Sequence, residues 1–431
     1  MCNLPSNAFE RALPASHTVR EVMGVGGAVV TFTGALAALG AAPASAAAAA
    51  KKRAYVVVLD GCRPEEIGGG SMPYVASLRA AGTHYPRATS NPVMETIPNH
   101  CMMMTGVRPS RSGVPANTFF DRAAGAVRTM DQPADLRATT VIEQLNAAGR
   151  KTGTVLSKEY LYGIFGTRAS YQWKPGPIIP VSGHAPDVAT IDAAITMVDS
   201  FDPDFMFVNL GDIDRFGHVD ITGTTLHAAR TLALLDTDAQ VKRFITHLQD
   251  TGRWADSLVL FIADHSMDWS LPTQLISLQG KLDADPLLKG NVQIAGNGGA
   301  DLLYWTGAAG DRTTAIAKMR AIALAQPGVL EAHDVAGTPS LKLGAEAGDV
   351  LVWCKAGWRF SDPNVLSNPI PGNHGHPATY PIPFFLSGGS PMVPKSTTRS
   401  TLVSTIDVAP TVAKFFGVAS PTGGWDGAAR L

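Results

Sequence analysis

The stretch Tyr55-Val56-Val57-Val58-Leu59-Asp60 is an unbroken apolar run that ends on a carboxylate. A run of that length, rich in valine, reads as a strand buried on both faces, as strands of parallel sheets are. The pattern recurs twice. Phe205-Met206-Phe207-Val208-Asn209-Leu210 is followed by Asp214 and His218, and Leu258-Val259-Leu260-Phe261-Ile262-Ala263 by Asp264 and His265. Helical spacing at 72–81, 136–148, 189–200 and 225–251 separates these runs and a further strand at 151–156. Strands alternating with helices predict an α/β fold with a doubly wound, mostly parallel sheet and helices on both faces. Ligands of such sheets bind beyond the carboxyl ends of the strands. Three strands therefore carry carboxylates and imidazoles to one edge, which suits a divalent metal site holding two ions. His374, in the loop Pro371-Gly372-Asn373-His374-Gly375-His376, is a further candidate ligand.

Outward from these strands the pattern changes. Residues 271–359 hold several short elements, including strands near 292–295, 301–306 and 350–353 and an apolar helix at 315–325, and read as a small inserted cap subdomain. A short strand at 384–389 and a helix at 407–416 close the chain. At the other end, Arg11 and Arg20 precede an apolar small-residue stretch, and Ala44-Ser45-Ala46 offers an A-x-A cleavage site. Residues 1–46 thus read as a secretory signal peptide and 52–431 as the catalytic domain, secreted or periplasmic after cleavage. No other run reaches the about 18 apolar residues of a membrane span.

The chain has 431 residues, 45% of them hydrophobic and 16% charged, with a net charge of −1. That near-neutral balance excludes a bulk electrostatic case for a nucleic-acid polymer or an anionic membrane as partner. Four cysteines, of which Cys2 leaves with the leader, exclude a disulfide scaffold.

Hydrolysis at a two-metal site also needs a nucleophile. Thr96, in Met94-Glu95-Thr96-Ile97-Pro98-Asn99-His100, precedes an apolar helix whose N-terminus suits a phosphoryl group. An ordinary helix cap is the bland alternative for Thr96.

With these residues in place the chain resembles the alkaline phosphatase superfamily, in its nucleotide pyrophosphatase/phosphodiesterase branch. The resemblance rests on Leu59-Asp60-Gly61, Thr96-Ile97-Pro98-Asn99-His100, Thr105-Gly106-Val107-Arg108-Pro109, Ser112-Gly113-Val114 with Asn117, Asp214 with Gly217-His218, Ala263-Asp264-His265-Ser266-Met267 and His374-Gly375. It implies two divalent ions, Zn²⁺ by the histidine content. Asp214, His218 and His374 would hold one; Asp60, Asp264, His265 and the Thr96 oxygen would hold the other. Asn117 would donate to a phosphoryl oxygen, and a phospho-threonine intermediate would form and be hydrolysed. The substrate would be a small phosphoester or pyrophosphate. Ile97 stands where nucleotide-hydrolysing members often carry an aromatic residue, which leaves Tyr171, Trp173 and Tyr160 as stacking candidates.

Two other readings remain. Phosphonoacetate hydrolases of the same superfamily carry a lysine segment that grips the substrate carboxylate, and Lys158 in Ser157-Lys158-Glu159-Tyr160-Leu161 resembles it. The third reading is a non-catalytic, exported metal-binding protein on this fold. Sulfatases are excluded, because Thr96-Ile97-Pro98-Asn99-His100 lacks their Cys/Ser and Arg.

Overall fold

The computed structural model describes residues 51–431 apart from 166, 167, 181, 224 and 225. The expected leader at 1–46 lies outside the described residues. Eight strands form the central sheet: β1 Arg53–Leu59, β2 Thr83–His84, β3 Thr152–Leu156, β4 Tyr171–Trp173, β5 Phe205–Leu210, β6 Ser257–Ile262, β7 Phe384–Ser387 and β8 Thr397–Thr398. Their order is β8-β2-β7-β6-β1-β5-β3-β4. Every pairing is parallel except those of β7, which runs antiparallel to β6 and β2. The sheet is mixed α/β and mostly parallel, as the apolar runs imply.

Apart from Arg53 at the start of β1, the residues of β1, β5 and β6 are all buried, because both faces are covered. Register shows how. Tyr55 pairs with Met206 and Val56 with Phe207, so Tyr55 and Phe207 point to opposite faces. The Tyr55 ring meets Phe244 of helix Ala228–Asp250 edge-on at 5.6 Å. The Phe207 ring meets His100 of helix Thr96–Thr105 at 5.9 Å. One layer therefore holds Pro73–Ala81, Asp187–Ser200 and Ala228–Asp250, and the other Thr96–Thr105, Val141–Ala147 and Val408–Phe416. Val58 pairs with both Asn209 and Ile262, so β1, β5 and β6 end level and deliver the residues beyond them to one edge.

A second sheet lies within 271–359. It is antiparallel, in the order Val292–Asn297, Ala300–Trp305, Val350–Cys354, Val329–Asp334, with helix Arg312–Leu324 packed on it. Its side chains alternate. Leu303, Trp305, Val350 and Val352 join Met319 in a separate apolar cluster. Leu302, Tyr304, Leu351 and Trp353 face the main core. The Val329–Asp334 strand had no sequence signal, because a bulge interrupts its alternation and three of its residues are charged or histidine. A hairpin, Thr118–Asp121 with Ala126–Thr129, was equally silent. Cys62, Cys101 and Cys354 are buried free thiols. No described helix is long and apolar enough to cross a membrane.

Candidate active site

Each functional side chain is placed by a local device. Asp60 follows β1, and Gly61 then turns with φ +71°, close against Asp214. After β5 the chain enters a short helix, Asp212–Val219, rather than a loop. Residues four apart on a helix share a face, so Asp214 and His218 converge. The late loop crosses this helix with two glycines back to back. A Cβ on Gly372 would lie 2.3 Å from the Gly217 carbonyl oxygen, so no larger residue lets His374 come this close. Asp264 and His265 follow β6 directly. Thr96 is the first residue of its helix and Glu95 occupies the cap position, so the Thr96 hydroxyl is not a cap. It lies 3.2 Å from His265 Nε2 and 3.4 Å from Lys158 Nζ.

The donors form two overlapping sets: ligand atoms of Asp214, His265 and His374 lie within 4.8 Å of one another, as do those of Asp60, His100 and Asp264, and His218 adjoins the first. Asp214 Oδ1, His218 Nε2 and His374 Nε2 form a triangle with edges of 3.3, 3.1 and 3.7 Å. Ligands of a tetrahedral Zn²⁺ with bonds of about 2.0–2.1 Å stand about 3.3 Å apart. In the other set His265 Nε2 lies 3.3 Å from Asp264 Oδ2, 3.2 Å from Thr96 Oγ1 and 3.9 Å from Asp60 Oδ1. Hydrogen bonds fix which atoms face inward. His218 Nδ1 faces the Gly372 carbonyl at 2.8 Å, His265 Nδ1 the Ser266 carbonyl at 2.9 Å, and His374 Nδ1 the Met94 carbonyl at 3.2 Å, with Glu95 Oε1 beside it as an ion-pair partner at 2.8 Å. Each Nδ1 is thus a donor, which leaves the Nε2 atoms directed at one another and at carboxylate oxygens. Asp264 Oδ1 accepts from the Gly61 and His265 amides, and Asp60 Oδ2 from Asn209. Asp264 Oδ2 and Asp214 Oδ1 are buried without any hydrogen-bond donor. Buried bare carboxylate oxygens repel one another unless cations lie among them. The residues present therefore fit two divalent ions. His100 adjoins the second set, its Nδ1 3.6 Å from Asp264 Oδ2, but that nitrogen is spent on the Thr96 carbonyl.

Charge states follow from burial and neighbours. Burial pulls His265 down to about 3, with Asp264 opposing only in part. Burial also disfavours charge on His374, yet the Glu95 carboxylate, with Asp214 and Asp264, pushes it up to about 9. Glu95 is the residue sequence reasoning missed. Its other oxygen accepts from Asn117 Nδ2, so one buried carboxylate orients both a candidate ligand and the candidate phosphoryl donor. Asn117 Oδ1 in turn accepts from the Ile97 amide at 2.7 Å, which fixes the amide over the helix N-terminus.

Lys158 is fully buried, not in the outer wall of the cleft. Its ammonium lies 2.8 Å from Asp60 Oδ1 and 2.7 Å from Asp214 Oδ2, one carboxylate of each set. Burial opposes its charge, but Asp214 and Asp60 outweigh that and raise its pKa. Tyr171 is brought nowhere near the site. It sits on the edge strand β4, 47% exposed, with its ring stacked on Phe201 at 5.1 Å. An edge strand beyond β3 cannot reach the ends of β1 and β6, which corrects the expectation of a substrate contact there. Tyr160 lines the cleft instead, with Ile97, Asn117, Arg215, Asn297, Asn368 and Ile370, around a cavity of about 310 Å³.

A mostly parallel α/β sheet of this topology is an alkaline phosphatase-like fold. Within it, the chain belongs to the type I phosphodiesterase / nucleotide pyrophosphatase family, whose profile matches residues 54–376. It is thereby placed among phosphoester hydrolases. Murine ectonucleotide pyrophosphatase / phosphodiesterase 5, solved with AMP as an inactive variant, superposes with a TM-score of 0.71 at 17% identity, over 85% of this chain and 96% of that one. Phosphonoacetate hydrolase from Sinorhizobium meliloti, solved with phosphonoformate, gives 0.64 at 19% identity, over 85% and 95%. An uncharacterised pyrophosphatase/phosphodiesterase of Schizosaccharomyces pombe is 34% identical over 70 residues, so the match spans 16% of this chain and only 14% of that relative.

Proposed function

We propose that the protein is an exported phosphodiesterase that cleaves a small phosphoester or pyrophosphate through Thr96. One observation carries the reading: a buried threonine hydroxyl, freed from capping, stands at a helix N-terminus within 3.2 Å of His265 and beside both donor sets. Asp214, His218 and His374 would hold one divalent ion, and Asp60, Asp264, His265 and Thr96 the other, with Zn²⁺ favoured by the imidazoles. Such ions supply Lewis-acid charge for the nucleophile and the leaving oxygen.

The chain's own groups do the rest. The Lys158 ammonium, 3.4 Å from Thr96 Oγ1, favours the alkoxide over the hydroxyl. Thr96 Oγ attacks phosphorus in line, the bond to the leaving oxygen breaks, and a phospho-threonine forms. The helix N-terminus and the second Nδ2 hydrogen of Asn117 meet the charge on the non-bridging oxygens. Water then attacks phosphorus, breaks the bond to Thr96 Oγ, releases the phosphate monoester that keeps the second ester group, and restores the Thr96 hydroxyl. The leader-like 1–46 supports export, and we read 52–431 as one catalytic domain with 271–359 as its cap. Neither the net charge nor the cleft favours a nucleic-acid polymer.

The test pairs bis-p-nitrophenyl phosphate with p-nitrophenyl phosphate on zinc-loaded protein. The diester should be preferred, chelator should stop turnover, and Thr96→Ala should lower kcat at least a thousandfold while metal content stays at two per chain. Turnover retained in Thr96→Ala removes Thr96 from the mechanism. Two bound metals with no phosphoesterase activity favour the non-catalytic reading. A second reading, C–P bond hydrolysis, is favoured by the shared fold with phosphonoacetate hydrolase, and not by Lys158, whose ammonium is spent on Asp60 and Asp214. Phosphate release from phosphonoacetate, without diesterase activity, would select it.

A further inference from the structure

Arg215 is a charged group that the reaction above does not use. It follows the candidate ligand Asp214 on the helix Asp212–Val219, and its guanidinium lines the cleft. Its side chain is 22% exposed, and Nη2 donates to the Tyr160 hydroxyl at 3.0 Å. The nearest carboxylate oxygen, Asp214 Oδ2, is 3.8 Å from Nε, beyond a hydrogen bond, and already receives the Lys158 ammonium. Nε is buried and has no acceptor. An arginine normally spends its fork on a carboxylate at hydrogen-bond distance. This one keeps the fork open toward the cavity.

The other cleft walls carry no comparable group. Asn297 Nδ2 donates to the Thr118 and Ala295 carbonyls, Asn368 Nδ2 to Phe360, and Asn373 Nδ2 to Trp358. Among the described residues, and apart from the two candidate histidine ligands, Arg215 is the only cationic side chain lining the cavity. Tyr160, the one aromatic residue there, is not a free stacking platform. The Arg215 guanidinium and the Lys158 ammonium lie 5.7 and 5.9 Å from its ring centroid. A cleft with an open arginine fork and no available aromatic face reads charge rather than a base.

We propose that Arg215, with the Tyr160 hydroxyl, is a specificity determinant that binds a second anionic group, of carboxylate size, on the organic part of the substrate. Because Arg215 adjoins Asp214 in sequence and space, that group must sit close to phosphorus, within a few bonds. A single cation and one phenol match one planar, singly charged acid better than a second phosphoryl group. The inference rests on the phosphoryl-binding reading of the same site, and narrows its substrate class to compact, doubly acidic compounds.

The test reads binding and not turnover. Zinc-loaded protein carrying Thr96→Ala, which blocks any hydrolysis, is titrated calorimetrically with three near-isosteric probes: phosphonoacetate, ethylphosphonate and 2-aminoethylphosphonate. Phosphonoacetate should bind at least tenfold tighter than ethylphosphonate, the size of a charge-assisted hydrogen bond, and the amine should bind weakest. Adding Arg215→Met should bring the three dissociation constants within about threefold of one another, on the same scale of fold-change. Arg215→Lys, which keeps the charge and loses the fork, should keep the order with a narrower spread. Circular dichroism and two bound zinc ions verify that each variant is folded. Equal binding of the probes in the parent overturns the proposal. So does an undiminished preference in Arg215→Met, which would mean that Arg215 grips the phosphoryl group itself or that Lys158 reads the acid. Failure of diesterase turnover would strike at the Thr96 reading alone, and flat binding with normal turnover at Arg215 alone.

Discussion

Replacing Glu95 by glutamine tests whether one buried carboxylate couples the metal half-site to the phosphoryl donor. Glu95 Oε1 forms an ion pair with His374 Nδ1 at 2.8 Å, and Oε2 accepts from Asn117 Nδ2. Both partners are donors, and a carboxylate satisfies both. Glutamine has one oxygen and one NH₂, so in either flip one contact becomes donor against donor. The surviving contact also loses its charge. A hydrogen bond to a charged group is worth about 1.5–3 kcal/mol net, and second-shell partners of metal-bound histidines typically govern roughly 10–100-fold in affinity or activity. The Met94 carbonyl, 3.2 Å from the same Nδ1, is already the acceptor of its hydrogen bond and stays in place in the variant. The lower half of the range therefore applies: zinc at the Asp214/His218/His374 set should bind roughly tenfold to thirtyfold more weakly, about 1.4–2 kcal/mol. Competition against a chromophoric chelator measures it, with kcat on bis-p-nitrophenyl phosphate as a second readout for Asn117. Zinc affinity and kcat both within twofold of the parent would refute the coupling.

The same pair gives a pH dependence in chelator-treated protein. His374 is raised from 6.5 to about 9, with burial opposing and Glu95 driving the shift. A raised histidine contributes stability that is fully present below pH 6.5 and is lost as pH rises through about 9, which amounts to about 3 kcal/mol. Urea melts at pH 6 and pH 9.5 should differ by that order, and Glu95→Gln should flatten the difference; a parent with equal stability at both would contradict the assignment. At the glycine crossing, a Cβ on residue 372 would also lie 2.5 Å from His218 Cα. Gly372→Ala should cost about 1–3 kcal/mol and weaken zinc retention, since the loop must lift from the helix. Unchanged zinc stoichiometry under dilution would show that the loop yields without moving His374.

Much of this architecture was legible because its signals are local. Apolar runs of six residues announce β1, β5 and β6, and the carboxylates that follow them end on one edge because the strands are parallel and in register. Thr96 could be placed at a helix N-terminus from the apolar run after it. Glu95 could not be read, since its partners lie far off in the chain, and a glutamate before a helix looks like any favourable first-turn acid. Lys158 was legible as a residue of interest and illegible as a buried one: only the side-by-side pairing of β1, β5 and β3 shows that it falls between Asp60 and Asp214. Tyr171 misled because an aromatic residue in a strand carries no sign of being at the sheet's edge. Helix Asp212–Val219 escaped notice because two turns containing a glycine have too weak a period to register.

The side chain of Asn297 ends the first strand of the inserted sheet, and its oxygen accepts from the backbone amides of both Asn117 and Thr118. The segment that would shape the substrate wall thus also fastens the loop bearing the phosphoryl donor. Exchanging this insert between relatives is therefore not a neutral change of glove on the same hand. A chimera that omits an asparagine at this point should lose rate on every substrate, whereas one that keeps it should alter only which molecules are accepted.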